Sequence, residues 1–201
     1  NLSFYNFMLK LFSIFSRTFF KFEVIGTENI PSEGNLIIAA NHKSNLDPIF
    51  VASAVNKKRK MTAIAKEELF KNKILAKILN KVEIIPINRQ NPGLGTIKRI
   101  LKYIKNDYAL VMFPEGTRSK NGNHPQEFKG GSFKAAMKAK CPIVPVALID
   151  TYKAFDTGSV APLTVQVHFL EPIPYEEYKE MKSTEIAAEV KRRIEKNIQQ
   201  S

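Results

Sequence analysis

The stretch LIIAANHKSNLDP, residues 36–48, joins an apolar run to a polar loop and then to a helix start. The run 36–40 is apolar at every position, which is typical of a strand covered on both faces of a sheet. Asp47 before Pro48 is a helix N-terminus signal, with Asp as the cap and Pro in the first turn. Because α/β proteins place ligand sites where a strand ends and a helix begins, the loop 41–47 is a candidate site.

Outward from this stretch, short β-branched or apolar runs alternate with longer helical patterns. Strands are predicted at residues 22–26, 36–40, 61–65, 82–87, 108–113, 143–148 and 164–169. Helices are predicted at residues 48–56, 67–80, 94–106, 132–140 and 176–200. This alternation indicates a single α/β domain in which a mixed, mostly parallel central sheet of about seven strands is flanked by helices.

The charge of the chain indicates an anionic partner. Its 201 residues include 31 Lys and Arg against 19 Asp and Glu, for a formal net charge of +12. That excess is typical of proteins that bind nucleic acid, membrane headgroups or a phosphorylated substrate. The lone Cys141 cannot form an internal disulfide and is interpreted as a strand-entry residue. Three scattered histidines and one cysteine give no ligand cluster, so no metal or cofactor is predicted.

Residues 1–22 predict an amphipathic helix that lies in a membrane interface. They contain seven of the fourteen Phe and no acidic residue. In a helix they form one narrow polar stripe opposite a wide apolar face. The membrane-contact residues on that face are predicted to be Phe4, Met8, Leu11, Phe15 and Phe19. Lys10 and Arg17 interrupt the run, which leaves no uncharged stretch of about 18 residues to cross a bilayer. Packing on the protein's own core is the alternative.

The spacing of His42 and Asp47 fits a catalytic pair. On one continuous helix, positions five apart diverge by about 140°. With His42 in the loop and Asp47 at the helix start, the chain can fold back and bring carboxylate to imidazole. A carboxylate there fixes the imidazole tautomer and stabilises the imidazolium formed when His accepts a proton. The spacing alone leaves open both this pair and a purely structural cap.

A second polar segment, FPEGTRS at residues 113–119, follows the predicted strand 108–113. It sets Glu115, Thr117 and Arg118 at the mouth of an apolar strand, and Gly116 allows close backbone approach. An Arg in such a place is suited to bidentate phosphate binding. An ordinary polar turn is the alternative. Arg89, just beyond the strand 82–87, is a weaker candidate of the same kind.

Taken in order, these segments resemble the glycerolipid acyltransferases, and most closely their 1-acylglycerol-3-phosphate acyltransferase branch. The matching blocks are NHKSNLDP (41–48), KEELF (66–70), IPINR (85–89), FPEGTRS (113–119) and IVPV (143–146). The resemblance runs over residues 24–148, with one departure at Asn88, where the family often carries Asp. It implies a sheet flanked by helices, with a membrane helix at residues 1–22 and an acyltransferase domain at residues 23–201.

The resemblance also implies roles for individual residues. His42 would be the general base, oriented by Asp47, that takes the proton from the free hydroxyl of 1-acylglycerol 3-phosphate. The oxygen would then attack the thioester of acyl-CoA or acyl carrier protein, giving phosphatidic acid. The implied acceptor-binding residues are Glu115, Gly116, Thr117 and Arg118, with Arg89 and Lys66 as further phosphate contacts. No Gly-x-Ser-x-Gly motif is present, which favours direct transfer over a covalent acyl-enzyme.

The expected partners are the acyl donor, the lysophospholipid acceptor and an anionic membrane surface, at the cytoplasmic face of the cell membrane. The runner-up acceptors are glycerol 3-phosphate and other lysophospholipids. Two alternatives come from a different class, a non-enzymatic basic membrane-surface protein and a nucleic-acid-binding protein. The run KKRK at residues 57–60 fits nucleic acid, but no recognised binding motif accompanies it. Nucleic acid is therefore not expected as a partner.

Overall fold

The computed structural model describes residues 2–55, 59–88, 94–118, 120–155 and 163–201. Within these residues the strands are β1 (Phe20–Ile25), β2 (Leu36–Ala40), β3 (Met61–Lys66), β4 (Ile85–Ile87), β5 (Ala109–Met112), β6 (Ile143–Ile149) and β7 (Leu163–Phe169). The α-helices are α1 (Leu2–Phe19), α2 (Asp47–Ala54), α3 (Lys73–Lys81), α4 (Leu94–Lys105), α5 (Lys134–Ala139), α6 (Tyr175–Tyr178) and α7 (Ser183–Gln200).

The strands form one seven-stranded sheet in the order β1-β7-β6-β2-β5-β3-β4. β6 and β7 pair antiparallel, and the other neighbours pair parallel. Successive side chains of a strand point to opposite faces. Thus Ile38 and Val111 pack with α1 and α2, whereas Ile37 and Leu110 pack with α4, α5 and α7. The predicted fold class, a mostly parallel sheet flanked by helices, is confirmed.

The connections around the centre of the sheet create a crevice. From β2 the chain passes through α2 to β3, and from β5 it passes through α5 to β6. These two connections run in opposite directions and on opposite faces of the sheet. A ligand crevice is expected outside the carboxyl ends of strands at such a switch point. The loops after β2 and β5, which carry His42 and Glu115, therefore meet at one edge.

The prediction of one helix over residues 67–80 is wrong. A 3-10 helix at Glu67–Lys71 comes first, and α3 follows it. The break occurs at Asn72, whose side-chain oxygen accepts hydrogen bonds from Ile74 N and Leu75 N at 3.0 Å. A side chain that satisfies two backbone donors starts a new helix. The apolar periodicity runs through this break and so does not reveal it.

Two other predicted elements are also too long. The strand predicted at 82–87 is confined to β4, because Val82 N still bonds to Ile78 O and Glu83 has a φ of 61°. The helix predicted at 176–200 is divided into α6 and α7, and α7 begins where the Glu185 carboxylate accepts from Lys182 N at 2.6 Å. The helix predicted over residues 1–22 ends three residues early, at Phe19, because residues 20–22 belong to β1. The remaining predicted elements are present, with ends shifted by at most two residues.

α1 is fixed to the body of the protein along one side. Tyr5 and Leu9 are buried there, and the Tyr5 hydroxyl accepts from Met61 N at 2.8 Å, at the start of β3. Near the other end of the helix, Ser16 Oγ lies 3.0 Å from Ser53 Oγ of α2. The helix ends at Phe19, since Phe20 already belongs to β1 and is buried. The core-packing interpretation is therefore correct for this side of α1.

The opposite side of α1 is apolar and exposed. Phe7, Leu11 and Ile14 are 59%, 46% and 52% exposed. Among the five predicted membrane-contact residues, Leu11 and Phe19 are exposed, whereas Phe4, Met8 and Phe15 are half-buried. The Phe15 ring lies 6.0 Å from the ring of Phe20, so Phe15 contributes to the core. In the part of the chain that the structure describes, no helix is both long and apolar enough to pass through a bilayer.

Candidate active site

The loop that follows β2 is anchored to the centre of the sheet by Asn41. This side chain is fully buried, and its amide nitrogen donates to Leu148 O at 3.0 Å. Its amide oxygen accepts from Leu148 N at 2.7 Å. The nitrogen and the oxygen of this side chain thus both form hydrogen bonds with one residue of β6. The loop therefore leaves the sheet in one fixed direction. His42, the next residue, is thereby held at the carboxyl edge of β2.

His42 and Asp47 form a hydrogen-bonded pair. His42 Nδ1 lies 2.8 Å from Asp47 Oδ2, and the Asp47 side chain is fully buried. The imidazole also lies against Phe113, with ring centroids 4.5 Å apart, which limits its rotation. An ionised carboxylate only accepts hydrogen bonds, so Nδ1 carries the hydrogen and Nε2 retains its lone pair. This arrangement provides a proton acceptor at Nε2.

The interpretation of Asp47 as a helix cap is wrong. The N-cap of α2 is Leu46, and the Asp47 side chain makes no capping hydrogen bond. Asp47 Oδ2 instead accepts from Lys43 N and Ser44 N, at 2.5 and 2.7 Å, in addition to His42. Within the described residues, Oδ1 is buried and has no hydrogen-bond partner. The carboxylate therefore folds the loop around itself and holds His42 in place.

Glu115 connects the two loops of the crevice. Its side chain is buried, with Oε1 accepting from His42 N at 2.7 Å and Oε2 accepting from Gln126 N at 2.8 Å. Burial raises the pKa of the Glu115 carboxyl above its usual range, while the two backbone donors oppose that shift. Both carboxylate oxygens are thus engaged by backbone groups. Direct contact between Glu115 and a substrate remains a prediction.

Gly116, Thr117 and Arg118 extend from the crevice towards solvent. Gly116 has a φ of 72°, a conformation that glycine adopts without strain, and a Cβ there would lie 3.0 Å from Lys129 Nζ. Thr117 and Arg118 are exposed. The Arg118 guanidinium forms no hydrogen bond or ion pair with any residue that the structure describes. Its fork of donors is free for an anion at the edge of the site.

Of the two remaining predicted phosphate contacts, Lys66 belongs to the described residues and lies away from His42. Lys66 is the exposed last residue of β3, two strands from β2, which corresponds to about 10 Å across the sheet. It therefore lies on the same edge as His42 but to one side. Arg89 lies outside the described residues.

Lys43 is a site residue that the sequence interpretation missed. It is 5% exposed, and its Nζ donates to His124 O in the loop after β5. Burial lowers the pKa of Lys43 to about 8, while the carboxylates of Glu115 and Asp47 act in the opposite direction. Lys43 thus places a cation beside two buried carboxylates and joins the two loops. A lysine in a polar loop usually extends into water, so nothing in the sequence signals this burial.

An apolar cavity of about 410 Å³ opens beside this crevice, on the face of the sheet covered by α4 and α5. Its inner wall is formed by aliphatic side chains, which include Ile64, Ile97, Ile100, Leu110 and Met112. Phe113 and Gly116 border it, and Lys129, Lys134 and Lys138 add three cations. Since Phe113 also contacts the His42 ring, one side chain separates the cavity from the imidazole. A second cavity, of about 570 Å³, lies near the start of β5, away from His42.

Two other kinds of centre are disfavoured by the described residues. Cys141 is 1% exposed, and burial raises the pKa of its thiol to about 12, so it supplies no thiolate nucleophile. No group of three or more His, Cys, Asp or Glu side chains within the described ranges is arranged to hold a metal ion. The His42–Asp47 pair is the arrangement that fits proton transfer.

A paired histidine at the switch point of a mostly parallel sheet, beside an apolar cavity, is the arrangement expected of an enzyme that acts on an apolar substrate. The chain matches the family model described as Acyltransferase over residues 21–149. That match covers more than half of the chain, so the protein belongs to the acyltransferase family, and the family resemblance predicted from the sequence is confirmed.

Several curated or solved proteins are similar to this chain. A chloroplastic 1-acyl-sn-glycerol-3-phosphate acyltransferase of Brassica napus is 33% identical, over 78% of this chain and 45% of its own length. A probable enzyme of the same name from Mycoplasma pneumoniae is 31% identical, over 90% of this chain and 72% of its own length.

The crystal structure of the 1-acyl-sn-glycerophosphate (LPA) acyltransferase PlsC from Thermotoga maritima has a TM-score of 0.74 and 28% identity. The matched region covers 94% of this chain and 79% of the PlsC chain. The chain spans about half the length of several of the curated relatives that it matches.

Proposed function

We propose that this protein transfers an acyl group from an acyl thioester to the free hydroxyl of 1-acylglycerol 3-phosphate and so forms phosphatidic acid. The observation that carries the proposal is the His42–Asp47 pair, 2.8 Å apart, at the edge of the sheet between two loops joined by Glu115 and Lys43. The printed names of the similar proteins support the acceptor.

His42 is the proposed general base. Nε2 takes the proton of the acceptor hydroxyl as its oxygen attacks the thioester carbonyl carbon. The C–S bond then breaks, and the imidazolium returns the proton to the leaving thiolate. Asp47 stabilises the imidazolium between these two steps. General-base assistance of this kind is typically worth about 10² to 10⁴ in rate.

Arg118 is the proposed ligand of the acceptor phosphate, because its guanidinium lies exposed at the edge of the crevice. Its planar fork matches two phosphate oxygens at once. Lys66 and Arg89 remain further phosphate candidates. Glu115 and Gly116 are assigned positioning roles, since the first ties the His42 backbone to the neighbouring loop and the second permits the turn that presents Arg118.

The apolar cavity is the proposed site of an acyl chain. Pockets of about 300–1,000 Å³ with mainly apolar walls are typical of small-molecule sites, and this one adjoins the reaction centre. Lys129, Lys134 and Lys138 lie where phosphate groups of a donor carrier would be attracted. Those cations suit acyl-CoA and acyl carrier protein alike, so the donor is defined only as an acyl thioester.

Peripheral attachment to the cytoplasmic face of the cell membrane is the proposed location. The exposed side chains of Phe7, Leu11 and Ile14 on α1 support it, because together they form an apolar strip flanked by Lys10 and Arg17. An enzyme attached in this way reaches a lysophospholipid without extracting it into water. Residues 1–22 as the membrane element and 23–201 as the catalytic unit remain a proposed division.

The proposal is tested by a donor-by-acceptor assay with mass-spectrometric identification of the products. Acyl-CoA and acyl carrier protein donors are each combined with 1-acylglycerol 3-phosphate, glycerol 3-phosphate and 1-acylglycerophosphocholine. We expect phosphatidic acid from the first acceptor, with release of one thiol for each ester formed. Acylation of glycerol 3-phosphate and of neither other acceptor would support the alternative acceptor. No acylated product with any combination would contradict the enzyme assignment.

A further inference from the structure

α3 differs from the other long helices in having no buried side chain. α4 buries Ile100 and Ile104, and α7 buries four residues. On α3, in contrast, Ile74 is 76% exposed and Ile78 is 40% exposed. These isoleucines are four residues apart and therefore lie on the same side of the helix. α3 thus presents an apolar row to solvent, where the core would normally cover it.

A row of cations runs beside this apolar row. Lys73, Lys77 and Lys81 are spaced four residues apart and exposed, and Lys71 precedes them. No acidic residue occurs from residue 69 to residue 82. None of the ion pairs among the described residues involves these four lysines. Like charges at this spacing repel one another along a helix, and an anionic surface relieves that repulsion.

α3 is continuous with the exposed side of α1. Lys81 Nζ lies 4.9 Å from the centre of the Phe4 ring, which joins the C-terminal end of α3 to the N-terminal end of α1. The other end of α3 lies near the carboxyl end of β3, because only one 3-10 helix separates it from Lys66. The exposed rows of α3 therefore extend from the edge that carries the active site to the exposed side of α1.

We propose that α3 is a second membrane-contact helix, whose lysines bind anionic phospholipid headgroups while Ile74 and Ile78 enter the interface. An apolar row flanked by cations is the pattern of a helix lying in the headgroup plane. A second copy of the chain is disfavoured because pairing two α3 faces would bring eight lysines together. Nucleic acid would match the lysines but not the exposed isoleucines. The inference rests on the proposed peripheral attachment and adds a specific contact to it.

Two variants separate the apolar and the cationic contributions. Ile74→Gln with Ile78→Gln removes the apolar row, and Lys73→Gln with Lys77→Gln removes half of the charge. The matched control is Lys98→Gln with Lys102→Gln, which removes two exposed lysines at the same spacing from α4, on the face of the sheet opposite α1. All changed side chains are exposed or on the surface, so circular dichroism and turnover of a soluble short-chain acceptor should stay near those of the unmodified protein.

The test is co-sedimentation with phosphatidylcholine vesicles and with vesicles that also contain phosphatidylglycerol. The lysine variant should lose about 10- to 30-fold in affinity for the anionic vesicles only. The isoleucine variant should lose at least about tenfold on both kinds of vesicle. The control should bind like the unmodified protein.

Binding by both α3 variants at the unmodified level would overturn the inference and leave the attachment through α1 intact. An equal loss in the α4 control would also overturn it, because net charge alone would then explain the effect. A change of oligomeric state in either α3 variant, measured by sedimentation, would instead assign the face to a second copy. Failure of the unmodified protein to bind any vesicle would contradict the peripheral attachment itself.

Discussion

The loop that carries His42 and the exposed side of α1 are held in opposite ways. In the loop, Asp47 Oδ2 has three hydrogen-bond donors, and Asn41 and Glu115 each use both ends of their side chains. On α1, Phe7 and Leu11 face solvent. The first region has its hydrogen-bond partners within the protein, whereas the proposed partner of the second is a membrane. Chemistry and attachment should therefore be separable by substitution.

Apart from His42 itself, the largest effect is expected at Asp47, within the loop. Asp47→Asn keeps one side-chain oxygen that can accept from the same three donors, so the loop should stay folded. The substituted side chain carries no charge and cannot stabilise an imidazolium. We expect turnover to fall by about 10² or more on every acceptor, measured at saturating donor, with vesicle binding unchanged. A folded Asp47→Asn protein with normal turnover would make Asp47 purely structural.

A smaller effect is expected at Arg118, which lies at the edge of the crevice. Arg118→Lys keeps the charge but loses the planar fork, so KM for the phosphorylated acceptor should rise several-fold. Arg118→Ala should raise it about tenfold or more, because charge-assisted hydrogen bonds contribute roughly 1.5–3 kcal/mol each. Steady-state constants for donor and acceptor, measured separately, check this. Arg192→Lys on α7 is the control. A rise in KM for the acyl donor alone would assign FPEGTRS to donor binding instead.

The next prediction concerns stability rather than turnover, at Lys43. Its pKa is lowered from 10.5 to about 8 by burial, so between these values the unfolded chain binds more protons than the folded chain. The contribution of Lys43 to the free energy of unfolding therefore rises with pH across that window, by at most about 1.4 kcal/mol per pH unit. Urea unfolding should be measured at pH 7, 8, 9 and 10. The free energy of unfolding of the unmodified protein, minus that of Lys43→Met, should rise with pH. A constant difference would contradict the burial of the charge.

The sequence predicted what is local in this molecule. The apolar run 36–40 identified the central strand, and the spacing of His42 and Asp47 made their contact possible. It did not predict contacts that depend on distant segments, such as the bond from Lys43 to His124 O or the tie from Glu115 to Gln126 N. Nor did amphipathicity distinguish α7, which buries its apolar side, from α3, which exposes it. The partner of an amphipathic face is set by tertiary packing, not by its periodicity.

The most direct test of this separation measures two variants on two forms of the acceptor. His42→Ala removes the proposed base, and Phe7→Glu with Leu11→Glu places charge on the exposed side of α1. Turnover is measured on 1-acylglycerol 3-phosphate in anionic vesicles and on a soluble short-chain analogue. We predict that His42→Ala loses about 10² or more on both forms, while the α1 variant loses activity only on vesicles. Equal loss of the α1 variant on both forms, or near-normal turnover of a folded His42→Ala protein, would contradict the account.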